Sequence, residues 1–120
     1  MHYLPVDLNT QFSKPAGAPA QLSILAHIDT SHLRFSRSEG RNLNQLTVVS
    51  ALFDFNGRFI SAAQKVVDMK VQDQTLTNEL NHGLTLRTNF DVQPGAYLVR
   101  LVVRDSGGQI SAENRSVEIP

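Results

Sequence analysis

The run from Gln21 to Asp29 alternates: Leu22, Ile24, Ala26 and Ile28 fall on one face of an extended chain, and Ser23, His27 and Asp29 on the other. Successive side chains of a strand point to opposite faces, so this stretch predicts a half-buried β-strand. A second extended run, 46–53, is apolar on both parities, with Leu46, Val48 and Leu52 against Val49, Ala51 and Phe53, the pattern of a strand central to a sheet. It stops at Asp54-Phe55-Asn56-Gly57, where Asn56 and Gly57 suit the positive backbone angles of a tight hairpin turn. Residues 58–82 contain neither Gly nor Pro. Phe59, Ser61, Ala63, Lys65, Val67, Met69 and Val71 share one strand parity, whereas Ala62, Ala63, Val66, Val67, Leu76 and Leu80 also fit helical spacing. The preceding hairpin favours a strand through about Val71, with a short helix or irregular loop over 74–81.

After Gly83, Leu84, Leu86, Thr88, Phe90 and Val92 alternate with Thr85, Arg87, Asn89 and Asp91, and Pro94-Gly95 is expected to reverse the chain. Tyr97, Val99, Leu101 and Val103 then alternate with Leu98, Arg100, Val102 and Arg104. Asp105-Ser106-Gly107-Gly108 predicts a second hairpin turn and 110–119 the last strand. Its early apolar parity (Ile110, Ala112) disagrees with the late one (Val117, Ile119), which predicts a bulge near 114–116. At the other end, residues 13–20 are, Lys14 apart, small residues, Pro and Gly, as in an exposed connection. They divide a leader (1–20), with room for an edge strand over 3–8 where Pro5 lacks a donor, from a body (21–120).

About seven short strands separated by turn signals predict an all-β fold, an immunoglobulin-like or fibronectin type III-like antiparallel β-sandwich. Tyr97, opening the penultimate strand after a turn, takes the place of a tyrosine corner. There is no Cys and no Trp, so the paired cysteines and core Trp of antibody domains are absent.

Composition narrows the function classes. The 120 residues are 41% hydrophobic and 18% charged, globular values, and no apolar run approaches the 18 or more residues of a membrane helix. Eleven Lys+Arg balance eleven Asp+Glu. Zero formal charge removes the electrostatic drive for nucleic acid or anionic membranes, so neither nucleic-acid partners nor membrane insertion is expected. Without cysteine there is no thiolate nucleophile or thiolate metal site. Residues 1–5 lack a basic segment followed by an apolar run, so export, if any, is expected to be encoded upstream.

The C-terminal third carries a resemblance. Gly83-Leu84-Thr85-Leu86-Arg87-Thr88, Val92-Gln93-Pro94-Gly95-Ala96-Tyr97-Leu98-Val99-Arg100, Val103-Arg104-Asp105-Ser106-Gly107-Gly108 and Val117-Glu118-Ile119-Pro120 resemble the C-terminal region of the von Willebrand factor A-related proteins of acidobacteria. Leu52-Phe53-Asp54-Phe55-Asn56-Gly57-Arg58 fits the same region, so the resemblance covers roughly residues 20–120. It implies an exported parent with an upstream A-domain, an extracytoplasmic (periplasmic or secreted) location, and a non-enzymatic accessory module. Its partners would be other domains of that parent or an extracytoplasmic protein.

Candidate chemistry is sparse. The A-domain metal motif, Asp-x-Ser-x-Ser, is approached only by Asp29-Thr30-Ser31-His32-Leu33, where Leu33 replaces an oxygen ligand. His27 and His32 flank Asp29, but that spacing does not make the rings converge. Asp54-x-Asn56-Gly57 opens like a calcium loop, yet Lys65 stands where its glutamate belongs. Asp105 to Gly108 form either an anion nest or a turn, and the turn accounts for the same residues. No catalytic signature brings together His2, His27, His32 or His82, so no enzyme, no metal and no cofactor is expected. Asn56, Gly57, Pro94, Gly95, Tyr97, Gly107 and Gly108 are read as structural. Arg87, Arg100 and Arg104 take outward strand positions: either a solvated face with cross-strand ion pairs to residues such as Asp91 or Glu113, or a basic, partly apolar docking face with Leu98 and Val102. A carbohydrate-binding or calcium-dependent adhesion sandwich is the alternative, and the lack of Trp, with Tyr3 and Tyr97 the only tyrosines, counts against a stacking platform for sugars.

Overall fold

The computed structural model describes residues 5–30, 33, 35–73 and 83–120. The strands among these residues are β1 (Val6–Ser13), β2 (Ala20–Ile28), β3 (Ser36–Ser38), β4 (Arg41–Asp54), β5 (Phe59–Val71), β6 (Leu84–Val92), β7 (Gly95–Asp105) and β8 (Ile110–Ile119). They form two antiparallel sheets, β1-β2-β6 and β3-β4-β7-β8, with β5 on the other side of β4. Because β4 pairs with β3 over 41–43 and with β7 over 46–54 while β5 spans 42–53, β3 continues the lane of β7. Three strands facing four long ones is the immunoglobulin-like, fibronectin type III-like sandwich expected from the alternation.

The inward parities meet in two apolar clusters. One gathers Val6, Ala26, Ile28, Leu33, Leu46, Val48, Met69, Leu101 and Val103; the other gathers Ala20, Leu22, Ile24, Leu52, Val92, Val99 and Ile119. Each fully buried Leu, Ile or Val stabilises by about 1.5–3 kcal/mol relative to exposure, which fixes the registers, since a one-residue slip would turn a whole face to water.

Several local expectations are corrected. The edge strand expected over 3–8 runs over Val6–Ser13 and pairs with β2 along its whole length, from Val6 opposite Ile28 to Ser13 opposite Gln21, so the sheet begins before residue 21. Pro94-Gly95 reverses the chain as expected, but between sheets and not within one: β6 and β7 lie in different sheets, and the chain crosses between them there. In the 54–57 turn only Gly57 has positive φ (83°), so Asn56 does not share that conformation. Gly57 N–H donates to the Asp54 carbonyl (3.0 Å) and Asp54 N–H to the Arg58 carbonyl (2.9 Å), giving a three-residue loop with a left-handed glycine. The expected bulge near 114–116 is absent: β8 pairs with β7 without a break from Arg104 opposite Ile110 to Gly95 opposite Ile119. Ser111 and Glu113 take the inward parity, and Ile110 and Ala112 sit on the outside. A real register shift occurs in the β4/β5 pair, between Leu52 and Phe53. The helix or loop expected over 74–81 lies outside the described residues.

Side chains close the seams between the sheets. Arg115 Nη1 donates to the Leu8 carbonyl (2.6 Å) and to Asn9 Oδ1 (3.1 Å), and Lys14 Nζ to the Pro120 carbonyl (2.6 Å), so β1 and β8 run parallel along one seam. On the opposite seam Lys65, on the inward parity of β5, donates its ammonium to the Arg87 carbonyl of β6. An inward lysine on an edge strand also opposes edge-to-edge pairing with another molecule. Beside β3, Asp73 Oδ1 accepts from Arg37 Nη1 (2.5 Å) and Asn42 Nδ2 (2.7 Å). The Arg37 hydrogen bond, then that of Asn42, holds the Asp73 carboxyl below its ordinary range.

Candidate functional site

The two outward faces differ in character. On the five-stranded sheet, cross-strand rows run Val66–Thr47–Arg104–Ile110, Gln64–Val49–Val102–Ala112 and Ala62–Ala51–Arg100–Asn114. The next row joins Phe53, Leu98 and Ser116. The register shift at Leu52/Phe53 sets Phe59 opposite Phe53, with ring centroids 5.9 Å apart at 71°, an edge-to-face pair.

Phe55 projects from the adjoining hairpin and is 82% exposed, while Phe59 is 58% exposed. Ile60, Val66, Leu98 and Ile110 are also exposed, so six of the seven large exposed hydrophobics among the described residues lie on this sheet or its hairpin. Apolar exposure gathered on one face marks an interaction surface more strongly than the same residues scattered singly. A groove of about 420 Å³ runs between Phe55, Ala96, Leu98 and Ser116–Glu118. Its hairpin wall is held in shape by Asp54 Oδ1, which accepts the Asn56 and Arg58 amides, both at 2.9 Å.

The opposite face, on β1-β2-β6, is polar. Its rows are Asp7–His27–Thr85, Asn9–Leu25–Arg87, Gln11–Ser23–Asn89 and Ser13–Gln21–Asp91, with Leu25 the lone apolar member.

The three arginines expected to form one docking face are therefore divided. Arg100 and Arg104 border the apolar rows of the five-stranded sheet, whereas Arg87 stands on the outer face of the other sheet. Outward parity predicts exposure but does not say in which sheet a strand will lie. Tyr97 Oη donates to the Gln93 carbonyl four residues upstream (2.6 Å), the bond of a tyrosine corner, with Pro94 and Gly95 inside the corner it closes. Gly107 and Gly108 lie in the β7/β8 hairpin, where Gly108 alone has positive φ (90°). There the buried Asp105 accepts from Gln109 N–H (2.7 Å) and from Asn44 Nδ2 (3.3 Å).

Those bonds commit both turn carboxylates to local donors. His27 Nδ1 lies 2.9 Å from Thr85 Oγ1; His2, His32 and His82 are outside the described residues. Among the described residues no three His, Asp or Glu side chains are grouped so as to hold a metal ion. The sequence marks this outer face only in part, through Leu98 and Val102 beside the outward arginines, and not the contributions of Phe55, Phe59, Ile60, Val66 and Ile110. Its signal was present in the two-sided apolar pattern of β4 and in Leu98, Val102 and Ile110, but that pattern reads equally as central-strand burial.

Neither a protein-family model nor a curated protein matches the sequence. Among solved structures, a β-glucuronidase from glycoside hydrolase family 2 is similar with a TM-score of 0.60 at 16% identity, over 93% of this chain and 11% of that one. A Bacteroides uniformis β-glucuronidase is similar at 0.57 and 12%, over 95% and 13% of the two chains. A calcium-binding mutant of Bacteroides uniformis β-glucuronidase 2 gives 0.56 and 13%, over 93% and 13%. The chain spans 11–13% of these enzymes, and what it shares with them is the β-sandwich fold.

Proposed function

We propose that this chain is a non-catalytic accessory β-sandwich that docks on another folded domain of its parent protein through the outer face of the five-stranded sheet. The observation that carries the reading is the gathering of Phe55, Phe59, Ile60, Val66, Leu98 and Ile110 on that face, with Arg100 and Arg104 among them. Aromatic residues and arginine are the types enriched where protein interfaces exclude water. A domain tethered in the same polypeptide suits such a surface, because high effective concentration makes a modest patch sufficient. The parent is read as an exported, extracytoplasmic protein with an upstream von Willebrand factor A-type domain, supported by the resemblance over roughly residues 20–120. The experiment is a titration of this chain against the remainder of its parent. Leu98→Lys should abolish association and leave the unfolding transition nearly unchanged; binding that survives it and Phe59→Ser would move the docking site elsewhere.

A further inference from the structure

We propose that the outer face of the three-stranded sheet carries a separate binding site, a hollow between Ser23 and Arg87 that takes a carboxylate-bearing saccharide unit. The hollow is about 170 Å³ and is lined by Gln11, Ser13, Gln21, Ser23, Arg87 and Asn89, with Phe12 at its border. Ser23 belongs to the outward parity yet is only 7% exposed, so its hydroxyl lies at the floor of the hollow and not on open surface.

The internal hydrogen bonds decide what remains for a ligand. Ser23 Oγ donates to Asn89 Oδ1 (2.7 Å), and Arg87 Nη2 donates to Gln11 Oε1 (3.2 Å). Both carboxamide oxygens are thereby used as acceptors, which leaves the amide nitrogens of Asn89 and Gln11 and the other guanidinium N–H groups as donors. Arg87 has no ion pair among the described residues, and no carboxylate lines the hollow. A donor-rich pocket with one cation selects an anionic ligand rich in acceptors, and the planar guanidinium matches a carboxylate in particular. The Ser13 hydroxyl and the Gln21 carboxamide each donate and accept, and the Ser23 oxygen, its proton committed to Asn89, accepts, as a ligand bearing several hydroxyls requires. With hydrogen bonds as the principal holding force, affinity for one sugar unit falls on the order of 1 mM.

Two-dimensional amide NMR of the chain, titrated with D-glucuronate, D-glucose and acetate, tests this. The expected result is saturable shifts in β1, β2 and β6 with glucuronate, at least about tenfold weaker with glucose and with acetate, and lost in Arg87→Gln. Should that variant not fold, Asn89→Ala replaces it with the same expected loss. No saturable response, an equal response to acetate or to glucose, or a response unchanged in the variants overturns the assignment. Leu98→Lys, on the opposite sheet, should leave the titration unaltered, so this site and the docking face succeed or fail separately.

Discussion

The β4/β5 and β7/β8 hairpins use the same device in different surroundings, and the difference sets a measurable ratio. Asp54 and Asp105 each open a turn whose fourth residue is a left-handed glycine, and each accepts the amide of the residue four positions on. Around Asp54 both donors, Asn56 N–H and Arg58 N–H, are exposed. Removing the carboxylate lets water take its place, so Asp54→Ala should cost only a net hydrogen-bond contribution, about 0.5–1.5 kcal/mol. Asp105 is 4% exposed, and its bonds from Gln109 N–H and Asn44 Nδ2 are buried. Asp105→Ala strands the Gln109 N–H away from water, at about 1–3 kcal/mol, and removes the longer Asn44 bond, at about 0.5–1.5 kcal/mol. The expected total is about 2–4 kcal/mol. Asp105→Asn, which keeps one acceptor oxygen, should recover part of it. Urea unfolding followed by circular dichroism, with a common m-value for the variants, reads the difference directly. Equal losses for Asp54→Ala and Asp105→Ala would refute the reasoning, since burial would then not be what makes the second carboxylate matter.

Tyr97→Phe removes only the bond to Gln93 and should lower stability by about 0.5–1.5 kcal/mol in the same urea assay, with no change in association at either face. Gly83→Ala places a Cβ 2.7 Å from His27 Nε2 and 2.9 Å from the Ile28 carbonyl at a φ of +86°, whereas Gly57→Ala meets open space at +83°. Both incur the strain of a left-handed alanine, about 1 kcal/mol, and thermal melts should show Gly83→Ala clearly the worse. Asp73 has a depressed pKa when folded, so its contribution is fully present above the unfolded carboxylate range and is lost as pH falls through the folded value. The stability gap between the parent chain and Asp73→Asn should therefore be constant near neutrality and close on acidification, as acid titrations of the unfolding midpoint will show.

Periodicity locates β2, β6 and β7 because their inward residues meet an apolar core and their outward ones largely meet water, while β5, whose spacing also fits a helix, is placed by the turn before it. It failed where that asymmetry fails. Ile110 and Ala112, being apolar, read as inward, yet they pair with Arg104 and Val102 on an outer face that is itself apolar. No rule that equates apolar with buried can place them, and the spurious bulge near 114–116 follows from that one misplacement. β3 escaped notice because Ser36, Arg37 and Ser38 carry no alternation and its turn has a non-glycine residue, Glu39, at φ 53°. The docking face and the hollow at Ser23 share a further obstacle: each is assembled from three or four strands distant in sequence. Alternation along one strand says which residues point out, and only the pairing of strands says which of them become neighbours.

The parallel course of β1 and β8 has a mechanical consequence. The chain enters the sandwich at Val6, beside Ile28, and β8 leaves it at Ile119, beside Gly95, the pole at which Lys14 reaches the Pro120 carbonyl. Entry and exit thus lie at opposite poles of a body 50 Å in its longest dimension. Tension applied between them acts along the strands, so the β1/β2 and β7/β8 ladders are loaded in shear, with many hydrogen bonds sharing the force at once instead of opening singly as in a zipper. Under such tension its two unlike faces are turned sideways, clear of the line of pull.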